Sequence, residues 1–519
     1  MRTTRNTSVL SVSLLALLVA GAGIALVQRV RRVSPAQRDG SILRVDRNGD
    51  LQDAIDQARP GDTIVLEAGA VYKGPVTLPV KSGSDFITIQ SSRASDLPEG
   101  VRVSPSQSAL LAKVQSATNG EPIIKTKPAA HHYKFVGIEF STADEKVKVN
   151  DLIRLGDWHS QSTLDSVPHH LIIDRSYIHG FKTQEVQRGI ALNSAETSII
   201  NSYISDVHGI GYDTQAICGW NGPGPFKIIN NYLEGSGENV MFGGADPSIA
   251  QLVPSDIEFR NNYVFKPLSW YAKDPSFAGI HWSVKNLFEL KNARNVIIDG
   301  NIFENNWTDA QAGRAVLFTV RNEQTTAPWS TIENVQFTNN IVKNSPAALN
   351  LLGTDAPKPS GRGTGLRIAN NLFLDIREAF FTIQGYYDVT VEHNTHFQSG
   401  NIMILYGEPS QRFTYRNNLT IRDSKGYGVK GDGTGEGTIA LNMFTPGFKF
   451  EKNVIANAQA SLYPPQNFFP NSISDIGFVD YERGNYRLRP DSRFHGAATD
   501  GTDPGANFDK LPKFPFDKQ

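Results

Sequence analysis

Residues 227–233 read KIINNYL, and the same frame returns as EFRNNYV at 258–264, IIDGNIF at 297–303, QFTNNIV at 336–342 and RIANNLF at 367–373. Apolar and polar residues alternate on both sides of a polar turn, which is the period of a strand and not of a helix. Aligned on that turn, the units place Ser176, Ser202, Asn231, Asn262, Asn301, Asn340, Asn371, Asn394, Asn418 and Asn453 in one column, at steps of 23 to 39 residues. Short strands repeating at that interval predict a solenoid of stacked coils. With coils about 4.8 Å apart, an Asn at the same turn of each coil can hydrogen-bond to the Asn above and below. Its side chain also tolerates a left-handed turn. The steps are longest between Asn262 and Asn340, so the loops there are expected to build a binding face.

The rest of the chain is consistent with one long stack. Of 519 residues, 39% are hydrophobic and 20% charged, enough to form a core and too apolar for disorder. The formal net charge of −1 argues against nucleic acid as a partner. Cys218 is the single cysteine, which excludes an internal disulfide framework and reads as a buried thiol. At the N-terminus Arg2 and Arg5 precede an apolar run from Val9 to Val27, with a small-residue site at Ala20-Gly21-Ala22 and Arg29, Arg31 and Arg32 beyond. This predicts export, by a cleaved signal peptide or a membrane tether through 9–27. Asp50 is expected to cap a short helix with Leu51, Ala54, Ile55 and Ala58 on its apolar face, ended by Pro60-Gly61, which would cover the open end of the stack. The expected division is 1–40 leader or anchor with linker, 41–100 N-terminal cap and first coils, 101–490 parallel β-helix, and 491–519 an irregular tail, in a monomer. In that tail Asp500 and Asp503 suit an ion, or a segment lying against the last coil.

Three stretches carry a resemblance: RGIALNSAETSIINSYISDVHG at 188–209, NGPGPFKIINNYLEGSGENVMFGGADP at 221–247 and GIHWSVKNLFELKNARNVIIDGNIFENNW at 279–307. With the repeat, they resemble secreted right-handed parallel β-helix proteins of the pectate-lyase-like group, and more narrowly bacterial β-helix repeat proteins, over about residues 45–490. The resemblance implies an all-β fold of about a dozen coils; it implies no activity by itself.

Chemistry is expected first at LFELKN (287–292) and LFTVRN (317–322), which share a frame. With Phe288 inward, strand alternation turns Glu289 and Lys291 outward, and the same frame turns Thr319 and Arg321 outward one coil later. Asn193, Gly219 and Gly243 extend that strip on one side, Gln384 and Tyr406 on the other. Such a strip suits a sugar polymer. Cleavage of a uronate polymer by β-elimination needs a cation for the carboxylate, a base and a proton donor. A like charge at Arg321 would lower the Lys291 pKa toward that of a base. Glu289 either opposes this or, with nearby acids, holds a Ca²⁺ that neutralises the substrate. The arrangement is similar to that of the alginate lyase and chondroitinase B family, which implies Lys291 as base and Arg321 as acid. The chain departs from that family in having one acid, Glu289, near the Lys, and Asn322-Glu323 after the Arg.

Two further readings stay open. Paired carboxylates among Asp213, Glu238, Asp246 and Asp309 would suit a glycoside hydrolase. Trp220, Trp270, Trp282 and Trp307 lie in loop segments and suit sugar stacking, with His281 a further candidate base. His179 and His208, each before or near a Gly, read as turn residues. The last reading is a non-catalytic polysaccharide-binding or adhesion protein.

Overall fold

A computed structural model describes residues 40–513. The leader or tether expected at 9–27 lies outside the described residues. Fourteen strands form one sheet in unbroken chain order by coil, and each neighbouring pair is parallel. The remaining strands of each coil form a second, 23-stranded assembly. The chain therefore winds as a parallel β-helix, as the repeat predicted. Among the described residues, the antiparallel pair Phe478–Asp480 and Asn485–Leu488 stands apart from the coils.

Register is set by side chains that face the axis. Ile199, Ile228, Phe259, Ile298, Phe337 and Ile368 stand opposite one another in successive coils. All are buried. Phe303, Phe337 and Phe373 stack beside them, with ring centroids 5.8 and 6.4 Å apart. A slip of one residue would turn this row outward, at about 1.5–3 kcal/mol for each large side chain exposed.

The turn column forms the ladder that the sequence predicted. Asn231, Asn262, Asn301, Asn340, Asn371, Asn394 and Asn418 each donate a backbone N–H to the amide oxygen of the next coil's Asn, at 2.8–3.0 Å. Each side-chain amide also donates to the same oxygen, at 2.9–3.1 Å. The ladder runs one rung past the repeat, from Asn453 to Asn467. At the other end Ser202 N–H donates to the Asn231 amide oxygen, and Ser176 N–H donates to the Ser202 hydroxyl. One expectation is corrected. The left-handed conformation belongs to the residue before each ladder position: Asn201, Asn230, Asn261, Gly300, Asn339, Asn370, His393, Asn417 and Lys452 have φ of 52–67°. That residue makes the corner, which frees the ladder Asn to point into the stack.

The helix expected after Asp50 is present at Leu51–Gln57, with the Asp50 carboxylate accepting from Asp53 N–H and Leu51, Ile55 and Ala58 buried. At the C-terminal end the chain from 499 to 507 does not lie against the last coil alone. It runs back along the stack: Gly505 N–H reaches Asn417 O, Ala506 N–H the Thr395 hydroxyl and Asn507 N–H the Asn370 amide oxygen.

Replacing Asn340 by Ala removes two donated bonds and leaves the Asn301 N–H and amide without their acceptor. Asn340→Ala is expected to lower the unfolding free energy by about 2–4 kcal/mol, measured by denaturant titration. Asn467→Ala, at the open end of the ladder, is expected to cost less.

Candidate functional site

The strip expected around Lys291 forms only in part. The two copies of the frame do not pair in register: Phe288 stands opposite Val316, and Leu290 opposite Phe318. Beyond this, Arg321 N–H donates to Lys291 O at 3.0 Å, so the two cations do come from adjacent coils. Each cation is held by its own acid. Lys291 Nζ lies 2.7 Å from Glu323 Oε1, and Arg321 Nη1 lies 2.8 Å from Asp355 Oδ1. Burial works to lower the Lys291 pKa, but the carboxylates of Glu289, Glu323 and Glu238 outweigh it, and the pKa is raised. The expected depression by Arg321 is thus reversed, because the near charges are negative.

Glu289 is buried and not open to solvent; its carboxylate accepts from Asn286 Nδ2 at 3.0 Å and Thr319 Oγ1 at 3.3 Å. With Lys291 in its field it does not offer the open, oxygen-rich setting that Ca²⁺ takes. Gly243 does not leave open surface, since a Cβ there would lie 2.6 Å from Lys291 Cβ. Gly219 falls in the inward row, opposite Leu192 and Phe242. Asn193 is buried, its amide oxygen accepting from Trp220 and Asn221 N–H. Gln384 pairs in register with Leu352 and is half-buried. Tyr406 is also half-buried; burial raises its pKa while Arg314 and Arg321 pull it down, so this end of the strip does share one face.

Of the expected carboxylates, Asp213 and Glu238 are brought together. Lys285 joins them, ion-paired with Asp213 and 3.5 Å from Glu238 Oε1. Gln215 Nε2 donates to Glu238 Oε2 at 2.8 Å. Glu238 is fully buried, and burial, then Glu289 and Asp213, push its pKa up to about 7. Asp246 is elsewhere: it accepts from the N–H groups of Gln324 and Thr326 and caps that loop. Asp309 accepts from Val284 N–H and pairs with exposed His281, Nε2 to Oδ1 2.7 Å.

Trp220, Trp270, Trp282 and Trp307 are buried and packed against neighbours. His208 stacks on Trp282 at 3.9 Å, Tyr271 on Trp307 at 4.9 Å, and the Arg188 guanidinium lies 5.1 Å over Trp220. Trp270, Trp282 and Trp307 pack as one cluster. Their loops are thereby anchored to the coils, and the expected row of free stacking platforms is not formed. Cys218 is buried, and burial raises its thiol to about 12.

What that anchored loop walls off is a cavity of about 360 Å³, which the sequence reading did not find. The long insertion after Asn262 supplies Pro267, Trp270 and Ile280 on one side. Tyr177 and Tyr203, partners on adjacent coils, line it as well, as do Asp206 and Glu234. Tyr203 continues into a ring stack with Tyr232 at 4.0 Å. Asp206 N–H donates to Glu234 Oε2 at 3.2 Å, and the Tyr232 hydroxyl pairs with Glu234 Oε1. Burial, then the charge of Asp206, push Glu234 up to about 7. Burial also raises Asp206, against the pull of His179, Ser205 and Lys182. The pair was legible in principle: SYISD and NYLE put an acid four or three residues after consecutive ladder positions, Ser202 and Asn231.

Glu234 and Glu238 flank one turn, Gly235-Ser236-Gly237, and Lys266 clamps it from inside. Its buried ammonium reaches Gly235 O, Ser236 O, Gly237 O and Asn239 Oδ1 at 2.5–3.0 Å. A larger cavity of about 770 Å³ lies under the C-terminal tail. There Asp500 pairs with His393 and Asp503 with His495, while each also accepts a backbone N–H. Those acids tie the tail down, so the cavity at Asp206 and Glu234 is the better candidate for chemistry.

No protein-family model matches the chain, and no curated protein matches it in sequence. Among solved structures, it is similar to the catalytic unit of a thermostable GH87 alpha-1,3-glucanase from Streptomyces thermodiastaticus, at 12% identity over 84% of this chain and 71% of that one, with a TM-score of 0.53. An alginate lyase from a Paenibacillus species aligns at 15% identity over 70% of this chain and 95% of that one, TM-score 0.31. The surface adhesin PfbA of Streptococcus pneumoniae aligns at 12% identity over 75% and 91%, TM-score 0.43. At these identities the likeness is one of fold alone.

Glu238 has a pKa raised from 4.5 to about 7 in the folded chain. Between those values the unfolded chain releases the proton and the folded chain keeps it, so stability falls as pH rises. Glu238→Gln is expected to flatten that slope, stabilising the protein by up to about 3 kcal/mol at pH 8 and leaving it unchanged at pH 4. Denaturant unfolding at the two pH values checks this.

Proposed function

We propose that the chain is an exported, carbohydrate-active β-helix protein that hydrolyses a polysaccharide in the cavity between Asp206 and Glu234. One observation carries the reading: two carboxylates share a cavity edged by aromatic rings, and one of them is held near neutrality as an acid. Glycosidic cleavage needs two carboxyl groups, one to give a proton and one to take one or attack. Glu234 gives its proton to the leaving oxygen as the bond to the anomeric carbon breaks. Asp206, where Lys182 and the Ser205 hydroxyl work against burial in favour of the anion, takes the proton of the attacking water. Tyr177 and Tyr203, each with one face stacked on His179 or Tyr232, line the cavity with apolar surface for a sugar, and Lys182 would favour an acidic one.

The same proposal takes the coils to wind right-handed, as nearly all parallel crossovers do. It takes the helix Leu51–Gln57 as a cover for the first coil, the segment 491–519 as a tail, and the whole as a monomer outside the cytoplasm. The likeness to a glucanase at a TM-score of 0.53 is compatible with it. Elimination at Lys291 and Arg321 is the second reading. Its base would have to be an ammonium already paired with Glu323 and held protonated by three acids, which removes its chemical support.

Incubation with a panel of neutral glucans, pectate, alginate and chondroitin tests the assignment. New reducing ends without the ultraviolet absorbance of an unsaturated product are expected. Glu234→Gln and Asp206→Asn should each lower the rate by about 10²–10⁴-fold, and Lys291→Ala should leave it nearly unchanged. An unsaturated product lost in Lys291→Ala would establish the lyase instead; binding of a polymer with neither product would make the protein an adhesin.

A further inference from the structure

Two histidine pairs are repeated in the chain, at AAHHYKF (129–135) and VPHHLII (167–173). The fold sets them side by side on the 14-stranded sheet, on strands that supply none of the carboxylates proposed for hydrolysis. His169 stands opposite His131, and Leu171 opposite Tyr133. The second member of each pair is left-handed, with φ of 58° at His132 and 53° at His170. This breaks the pleat, so that both side chains of a pair project to the same side. The ring nitrogens consequently converge. Nδ1 of His131 is 2.8 Å from Nδ1 of His132, and Nδ1 of His169 is 2.6 Å from Nδ1 of His170. Between coils the rings stack, His131 on His169 at 4.9 Å and His132 on His170 at 4.3 Å.

Ligand atoms of His132, His169 and His170 all lie within 4.8 Å of one another, the single such group of three among the described residues. All four rings are half-buried and reachable from solvent. Glu196, at the equivalent place in the next coil, lies 2.6 Å from His170 Nε2 and fixes that ring. A carboxylate behind a ligating imidazole is the usual support of a zinc ligand. Phe86 packs on His132 from the other side, at 5.2 Å.

We propose that these histidines bind a first-row divalent transition-metal ion, zinc in the first instance, with His132, His169 and His170 as ligands and His131 as the fourth. Four neutral imidazoles suit zinc, copper or nickel and not the oxygen-seeking Ca²⁺. A tetrahedral ion with nitrogens at about 2.0–2.1 Å holds its ligand atoms about 3.3 Å apart. To reach that spacing the contacts at 2.6 and 2.8 Å open, the separations within 4.8 Å among His132, His169 and His170 close, and the His131 ring turns toward His169, on which it stacks at 4.9 Å. The ion would clasp two adjacent coils and convert a crowded set of lone pairs into a staple.

The test uses the purified full chain without an added histidine tag, stripped of metal and titrated with Zn²⁺ in a calorimeter. One equivalent is expected to bind, raising Tm. Cobalt is expected to give the visible bands of a nitrogen-rich, four- or five-coordinate site. His132→Asn and His170→Asn keep a residue that accepts the left-handed backbone, and each should weaken binding at least about tenfold with the circular dichroism unchanged. Absence of binding, or one equivalent bound undiminished in the double variant, overturns the assignment. Should a histidine variant fail to fold, Glu196→Gln takes its place: weakened binding supports the site, and unchanged affinity speaks against it.

Discussion

From Ser202 to Asn467 each coil of this protein meets the next through a buried amide. The Asn ladder matters because each rung satisfies a backbone N–H and a side-chain amide at once, inside a core that offers no water to either. A missing rung leaves two donors stranded. The ladder therefore fixes which residue of one coil lies over which residue of the next, whatever the length of the loop between. Steps from 23 to 39 residues are all accommodated because the extra chain leaves the stack and returns to the same register.

That constraint explains how distant parts of the chain become a site. Asp206 and Glu234 are neighbours because Ser202 and Asn231 are consecutive rungs. The insertion after Asn262 can close over them because its ends are pinned, and because Trp270, Trp282 and Trp307 pack it down as one cluster. Lys266 then fixes the turn between Glu234 and Glu238 from within. The burial that stabilises this arrangement is also what disfavours carboxylate charge, so tight packing and raised acidity constants share one cause.

The same stacking explains why the basic strip lost its expected chemistry. Equivalent positions in a solenoid stand about 4.8 Å apart, close enough for any charge to be answered by the coil above or below. Lys291 and Arg321 meet Glu323 and Asp355, and so become struts. A cation in a repeated frame is thus weak evidence for catalysis in this fold. A pair of acids that makes no ion pair among the described residues, as at Asp206 and Glu234, is stronger.

By itself the sequence determined the fold. The alternation of apolar residues, the recurrent Asn and the Asp50-capped helix are local patterns, and each rung needs only its own turn to be recognised. It did not determine which outward residues share a face. The two-residue offset of Phe288 from Phe318, the left-handed corner before each ladder Asn and the paths of the long loops depend on contacts between residues far apart in the chain. Only the tertiary structure decided that Trp282 and Trp307 are buried, that Asp213 and Glu238 meet while Asp246 does not, and that four histidines converge. Burial and charge pairing are properties of the assembled stack, and no single coil carries them.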